Sequence, residues 1–336
     1  MRIQSLVFAV CCALPAAAAP TFSVLDVAPG AQYDARVSAN GELVGVAVDY
    51  GVLGHFAWLY GVDADVTINH FANQQLLQRD FATTPIPNGD GTRVVGSLSR
   101  LGQRRYLARQ GRPFTAGTNS FLTTFSDRNA DPTASSVDGF TYVGNQGSTQ
   151  AFLFDGTSEV PLGDLAGGGF GSEAFDISLD GSTIVGEGTS ALGTEAAVWK
   201  DGQLLGLGDL DGGGFASRVN GVSFDGSVIV GEATCDRGSE AFVWYENPGM
   251  ITLEALLGAQ GLDIGDRRLL RLIDVSGTGR VFVGVGEEVG DPATNPLSGQ
   301  SSLFVATIPE PAIVAVADLG LLGLAAAKRS RARGGR

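Results

Sequence analysis

Apolar residues in this chain fall in short runs separated by glycine- and aspartate-containing turns, and few stretches carry the spacing of a long helix. The runs recur in order. One ends in Asp-Leu, the next precedes an Asp-Gly pair, the third ends in Val-Gly and the fourth ends in Trp or Phe. Asn-Gly and Asp-Gly supply the positive φ angles that tight hairpin turns need. The pattern therefore predicts β-strands joined by hairpins.

The order is a true repeat. Leu162-Gly163-Asp164-Leu165 through Phe170 returns as Leu207-Gly208-Asp209-Leu210 through Phe215, at an offset of 45. Ser178 through Glu187 returns as Ser223 through Glu232, and Glu195-Ala196-Ala197-Val198-Trp199 as Glu240-Ala241-Phe242-Val243-Trp244, again at 45. Val-Gly recurs at residues 44, 95, 143, 185, 230 and 283, with spacings of 51, 48, 42, 45 and 53. Turn pairs stand upstream at Asn40-Gly41, Asp90-Gly91, Asp138-Gly139, Asp180-Gly181 and Asp225-Gly226, with Ser276-Gly277 in the last copy. The aromatic-ended run is also found as His55-Phe56-Ala57-Trp58, Ala151-Phe152-Leu153-Phe154 and Leu303-Phe304-Val305, while Ala108 takes the tryptophan place in the second copy.

Four short strands every 42–53 residues predict an all-β fold, a β-propeller of about six four-stranded blades. A single blade cannot bury both faces, and closing a ring does so. Seven blades stay open if the insertion at 113–136 hides a degenerate unit. A β-solenoid is the other architecture, with rungs that are usually shorter. Phe22–Val27 matches the first strand of a unit, which makes the first unit whole.

The two ends read differently, as a helix-forming leader and a C-terminal hydrophobic helix. Residues 1–19 have the plan of a secretory signal peptide: Arg2, an apolar stretch Ile3–Leu14, Pro15, then four alanines with cleavage expected near Ala18 or Ala19. Residues 308–336 hold Pro309-Glu310-Pro311, an apolar run Ala312–Ala327 interrupted by Asp318, and a basic end with Lys328, Arg329, Arg331 and Arg333. That run of 16 is shorter than the roughly 20 residues of a comfortable membrane span. A charge at mid-bilayer costs about 2.5–3.5 kcal/mol on insertion scales. The basic end should stay cytoplasmic. Between the ends, residues 20–307 form the repeat domain.

Charge narrows the partners. The whole chain carries a net −14; removing 1–19 and 312–336 leaves 16 basic against 35 acidic residues, a net −19. Nucleic acid and anionic lipid head groups are therefore repelled. Cys11 and Cys12 lie in the leader and Cys235 is alone beyond it, so no intramolecular disulfide is expected in the repeat domain, where Cys235 reads as a small apolar residue.

The tail, residues 308–336, resembles the PEP-CTERM sorting signal of Gram-negative envelopes, although Ile308 stands where that family more often has Val. The resemblance implies recognition by an exosortase, after signal peptidase has acted at the front, with delivery to the cell envelope, outer surface or matrix. It also implies association with exopolysaccharide and biofilm systems. The repeats over residues 22–306 resemble the HAF extracellular repeat family, whose His-Ala-Phe strand is filled here by Gln150-Ala151-Phe152 and Glu240-Ala241-Phe242. That implies an extracellular β-repeat fold and supplies no catalytic residues.

Candidate chemistry is sparse. His55 and His70 are the two histidines, and no Gly-x-Ser-x-Gly elbow accompanies them. His55 reads as structural and His70 as a solvated loop or helix-start residue. Gly167-Gly168-Gly169 and Gly212-Gly213-Gly214 lack the Lys-Ser/Thr of a phosphate loop. Asp209-Leu210-Asp211-Gly212 hints weakly at calcium, but its counterpart Asp164-Leu165-Ala166-Gly167 lacks the second acid. Glu187, Glu195, Glu232 and Glu240 repeat at blade spacing and read as solvated strand ends. No catalytic, cofactor or metal residue is assigned. The expectation is a non-enzymatic binding or structural module for exopolysaccharide or another surface protein, with a secreted propeller enzyme acting on glycans as the alternative.

Overall fold

A computed structural model describes residues 20–25, 32–37, 41, 43–49, 55–61, 67–71, 81–82, 86–87, 93–100, 103–110, 131–136, 141–146, 150–155, 157–290 and 299–308. In chain order the elements begin with β1 (Thr21–Leu25). Blade 1 follows: β2 (Gln32–Val37), β3 (Leu43–Asp49), β4 (His55–Gly61) and β5 (Thr67–Phe71). In blade 2, β6 (Phe81–Ala82) and β7 (Ile86–Pro87) are two pieces of an interrupted inner strand. Both pair with β8 (Arg93–Arg100), which also pairs with β9 (Gln103–Gln110). Blade 3 is β10 (Asp131–Ser135), β11 (Tyr142–Gln146), β12 (Gln150–Phe154) and β13 (Glu159–Pro161). Blade 4 is β14 (Gly167–Ile177), β15 (Thr183–Ser190), β16 (Gly193–Lys200) and β17 (Gln203–Gly206). Blade 5 is β18 (Ser217–Val222), β19 (Ile229–Cys235), β20 (Gly238–Tyr245) and β21 (Gly249–Thr252). A short helix α1 (Leu253–Ala259) precedes blade 6, made of β22 (Arg267–Val275), β23 (Val281–Glu288), β24 (Ser301–Thr307) and, at its outer edge, β1.

Among the described residues there are thus six antiparallel sheets, five of four strands as the repeat predicts and one, blade 2, of three strand positions with the inner one in two pieces. Inner strands pack on the blade before them: β7 on β2 and β3, β14 on β10–β12, β18 on β14–β16, β22 on β18–β20, and β2 on β22 and β23. The core lies between blades. One cluster joins Val143 and Ala151 to Ile177 and Trp199, a second joins Val185 and Val198 to Val219 and Phe242, and a third joins Ile273 and Leu303 to Ala35 and Val44. This is a β-propeller.

Between blades 5 and 6 the core takes in Leu253, Leu256 and Leu257 of α1, all fully buried. Thr252 caps the helix, its hydroxyl accepting from the Ala255 N–H at 3.1 Å. This insertion accounts for the longest Val-Gly spacing in the chain, 53. Among the described residues no helix is long and apolar enough to cross a membrane, and the tail 309–336 lies outside them.

The repeat motifs have distinct physical causes. In β14, β18 and β22 a bulge lies opposite the Val-Gly pair. The bulge drives a carbonyl toward the facing strand, so that a Cβ on Gly186, Gly231 or Gly284 would collide with the carbonyl oxygen of Glu173, Arg218 or Arg271. In the turns, a buried serine holds the hairpin. The hydroxyl of Ser178 accepts from the Thr183 N–H at 2.9 Å and donates to Asp180 at 2.6 Å, and Ser223 does the same for Val228 and Asp225. The turn glycines, Gly181 and Gly226, have φ of 77° and 70°. Gly226 also presses against the preceding blade at Thr183. Burial raises the carboxyls of Asp180 and Asp225, but the hydroxyl and N–H donors around them more than offset it and hold both below the usual range.

The junctions from blade 3 round to blade 1 are clamped by side chains that reach a neighbour's backbone. Asn145 brackets Ala174 (2.8 and 3.2 Å), Asp176 accepts from Val222 N–H (3.1 Å), Asn220 donates to Leu272 carbonyl (2.8 Å), and Asp274 accepts from Val37 N–H (2.9 Å).

Two expectations are corrected. The strand at the front of the chain does not join the first unit. Thr21–Leu25 pairs with β24, Thr21 opposite Thr307 and Leu25 opposite Leu303, and the run Glu159–Pro161 likewise pairs back onto β12. The repeat read in sequence is therefore one strand out of phase with the blade, because a run just before Gly-Asp-Leu is the outer strand of the blade it leaves. In the last copy the turn pair is Thr278-Gly279 and not Ser276-Gly277. Ser276 takes the place of Ser178, and Gly279 has the positive φ, 70°.

Candidate functional site

The inner strands enter each blade at one rim of the ring, where the blade-to-blade loops meet the hairpins between second and third strands. The Gly-Asp-Leu loops are tied down there by their own aspartates. Asp164 accepts from the N–H groups of Leu165, Gly171 and Thr189 at 2.7–2.8 Å. Asp209 accepts from Leu210 and Ala216 at 2.9 and 2.8 Å, and Asp236 from Gly213 at 3.0 Å. The glycine triplets fit against the neighbouring hairpins: a Cβ on Gly168 would lie 2.6 Å from Thr189, and one on Gly213 2.7 Å from the Cys235 carbonyl. Close packing therefore explains the first two glycines of each triplet, while Gly169 and Gly214 face open space. Two large apolar side chains stay out in solvent at this rim, Phe170 at 63 % exposure and Leu192 at 71 %.

Further along the inner strands lies a group of charges that act on one another across two blades. Glu173 on β14 faces Glu187 on β15, and Arg218 on β18 faces Glu232 on β19. Arg218 bridges the junction. Its Nε lies 3.7 Å from Glu187 Oε2, and its Cζ sits 4.1 Å over the centroid of the Phe175 ring. Burial pushes the Glu187 carboxyl up, Arg218 draws it down, and the carboxylates of Glu173 and Glu232 push it up again; the net result is a raised carboxyl. Glu232 also accepts from the Ser239 hydroxyl at 3.1 Å. In blade 6 Arg271 takes the place of Arg218, opposite Val285. The arrangement offers a guanidinium stacked on an aromatic face beside hydrogen-bond acceptors, suited to hydroxyl-rich ligands, and one carboxyl that holds its proton more readily than the rest.

The repeated glutamates are not solvated strand ends, which corrects the sequence reading. Glu195 accepts from the Gly208 N–H at 3.1 Å. Glu240 is buried and meets Arg237 Nε at 2.6 Å, and Arg237 reaches Glu254 of α1 at 2.9 Å. These acids anchor loops and a helix, while Glu187 and Glu232 belong to the coupled group. His55 opens β4, and His70 stands in β5 opposite Trp58, not in a loop or at a helix start. Cys235 ends β19 as a half-buried free thiol. Among the described residues no group of three or more His, Cys, Asp or Glu is disposed to hold a metal, and both oxygens of Asp209 already accept backbone N–H groups. Pro309, Glu310, Pro311, Lys328, Arg329, Arg331 and Arg333 lie outside the described residues.

Glu173, Phe175 and Arg218 escaped the sequence reading. A signal was present: at the offset of 45, Glu173 is replaced by Arg218, a charge reversal inside well-matched copies.

No protein-family model matches the chain, and no curated protein matches it. Several solved structures resemble it. TolB from Acinetobacter baumannii is 14% identical with a TM-score of 0.40, over 65% of this chain and 52% of that one. The chain thus spans about half the length of that relative. A putative TolB from Agrobacterium tumefaciens is 15% identical with a TM-score of 0.44, over 66% and 80%. The β-propeller domain of the Trilobed protease from Pyrococcus furiosus, described as having an open velcro topology, is 10% identical with a TM-score of 0.46, over 82% and 81%.

Proposed function

We propose that the chain is an exported envelope or matrix protein whose β-propeller is a contact module, holding exopolysaccharide or another surface protein without turning it over. The observation that carries this reading is the employment of the repeated acids. Asp164, Asp209, Glu195 and Glu240 each bind a loop, hairpin or guanidinium of the chain itself, so their recurrence follows from blade construction. The exposed Phe170 and Leu192 add apolar contact area at the loop rim. Export is supported by the leader-like residues 1–19 and by the three-part tail with Pro309-Glu310-Pro311. The short apolar run with Asp318 suits a temporary membrane handle, removed by an exosortase, better than a lasting anchor. The expected result is that the purified mature chain retains its host's secreted polysaccharide in a pull-down. No retention, together with unaltered biofilm after deletion of the gene, would refute the proposal.

A second reading is favoured by one observation, the raised carboxyl of Glu187 beside Glu173 and Glu232. A propeller hydrolase or lyase acting on glycans would use such a group as its acid. It requires new reducing ends when the chain is incubated with host polysaccharide, and their loss in Glu187→Gln.

A further inference from the structure

The last blade is completed by its most weakly held strand. No side chain of β1 is fully buried: Thr21, Ser23 and Val24 are exposed, and Phe22 and Leu25 are half-buried. The strand it covers is the opposite. Leu303, Phe304, Val305 and Ala306 of β24 are all buried, and Phe22 stacks on Phe304 with ring centroids 5.2 Å apart. All five residues of β1 pair with β24 in unbroken register. Neither partner carries a charge, and neither holds a proline within its paired segment, so none of the usual devices that discourage foreign pairing is present. The segment 26–31 joins β1 to the rest of the chain.

From this we infer that the β24 edge is a strand-accepting site that a second copy of the chain can fill, two copies trading their N-terminal strands. The traded ladder and the aromatic stack are identical to those made within one copy. The balance between the two forms then depends on the 26–31 connection and on concentration, the usual condition for low-cost strand exchange. A strand held by its backbone ladder and by two half-buried side chains, Phe22 and Leu25, packed on the core opens before the rest of the blade does. Once it is open, the bare β24 edge recruits an extended segment by the physics of strand addition.

The test uses the pair Ser23 and Val305, which face each other across the ladder. Two full-length preparations are made without native cysteines (Cys11→Ser, Cys12→Ser, Cys235→Ser). One carries Ser23→Cys and the other Val305→Cys. They are mixed at high concentration, warmed gently, cooled and oxidised. Strand exchange gives a disulfide-linked heterodimer, and dilution before oxidation diminishes its yield. Monomers alone at every concentration would overturn the inference. Size-exclusion chromatography with light scattering on the unsubstituted chain is the second readout, independent of the substitutions. A dimer that grows with concentration is expected, and a strictly monomeric chain would overturn the inference.

Discussion

A carboxyl that is mostly buried, with two carboxylates and one guanidinium as neighbours, responds to pH in a direction that can be worked out. Because burial and the flanking acids raise Glu187 in the folded chain, the native state holds its proton after the unfolded state has released it. The native state then binds more protons, and stability falls as pH rises from the ordinary glutamate range through the raised value. Glu187→Gln removes the penalty. The variant should match the parent at pH below the ordinary glutamate range and melt higher at neutral pH. Thermal unfolding measured at both ends of that window checks it. A variant less stable at neutral pH would mean that the contact with Arg218 outweighs burial. Nothing in the sequence around Glu187 announced this, because the charges that act on it come from three other strands, two of them in the next blade.

Strands and turns were far more legible than side-chain partnerships. Asp-Gly and Val-Gly marked the turns and second strands because each glycine answers a local steric demand that any copy must meet. The Val-Gly glycine makes the sharper prediction. Gly231 faces the carbonyl of Arg218 across a bulge, whereas Gly214 has nothing within 4 Å of its Cβ position. Gly231→Ala should cost about 1–3 kcal/mol or more through forced backbone movement. Gly214→Ala should stay within about 0.5 kcal/mol. Denaturant midpoints of the two variants decide the matter. The phase of the blade was not legible, since the hydrophobic pattern of Glu159–Pro161 or of Phe22 is the same whichever neighbour it pairs with. Nor was α1, where Leu253, Leu256 and Leu257 form a single turn-spaced set too short to stand out.

For the ring as a body, the surplus of acids matters more than any one of them. A net −19 over residues 20–311 repels itself in the folded state. The ion pairs among the described residues are Arg218–Glu187, Arg237–Glu240, Arg237–Glu254, Arg267–Glu288 and Arg268–Glu287. Screening should therefore help more than it harms: the melting temperature at pH 7 should climb between about 0.01 and 0.1 M salt, as the Debye length shrinks from about 30 to 10 Å. A flat or falling profile would show that the clamps and pairs, not net repulsion, govern the response.

The pairing of Thr21 with Thr307 also sets an order in time. A ribosome produces β1 among the first strands of the ring, yet its hydrogen-bonding partner is made last, roughly 280 residues later. At about 5–20 residues per second, that delay is on the order of 15–60 s. Through that interval the growing chain carries an unsatisfied strand at its front, while blades 1–5 can already assemble behind it. Synthesis has to be finished before the circle can shut, so any factor that shields a nascent strand has its longest engagement with Thr21–Leu25.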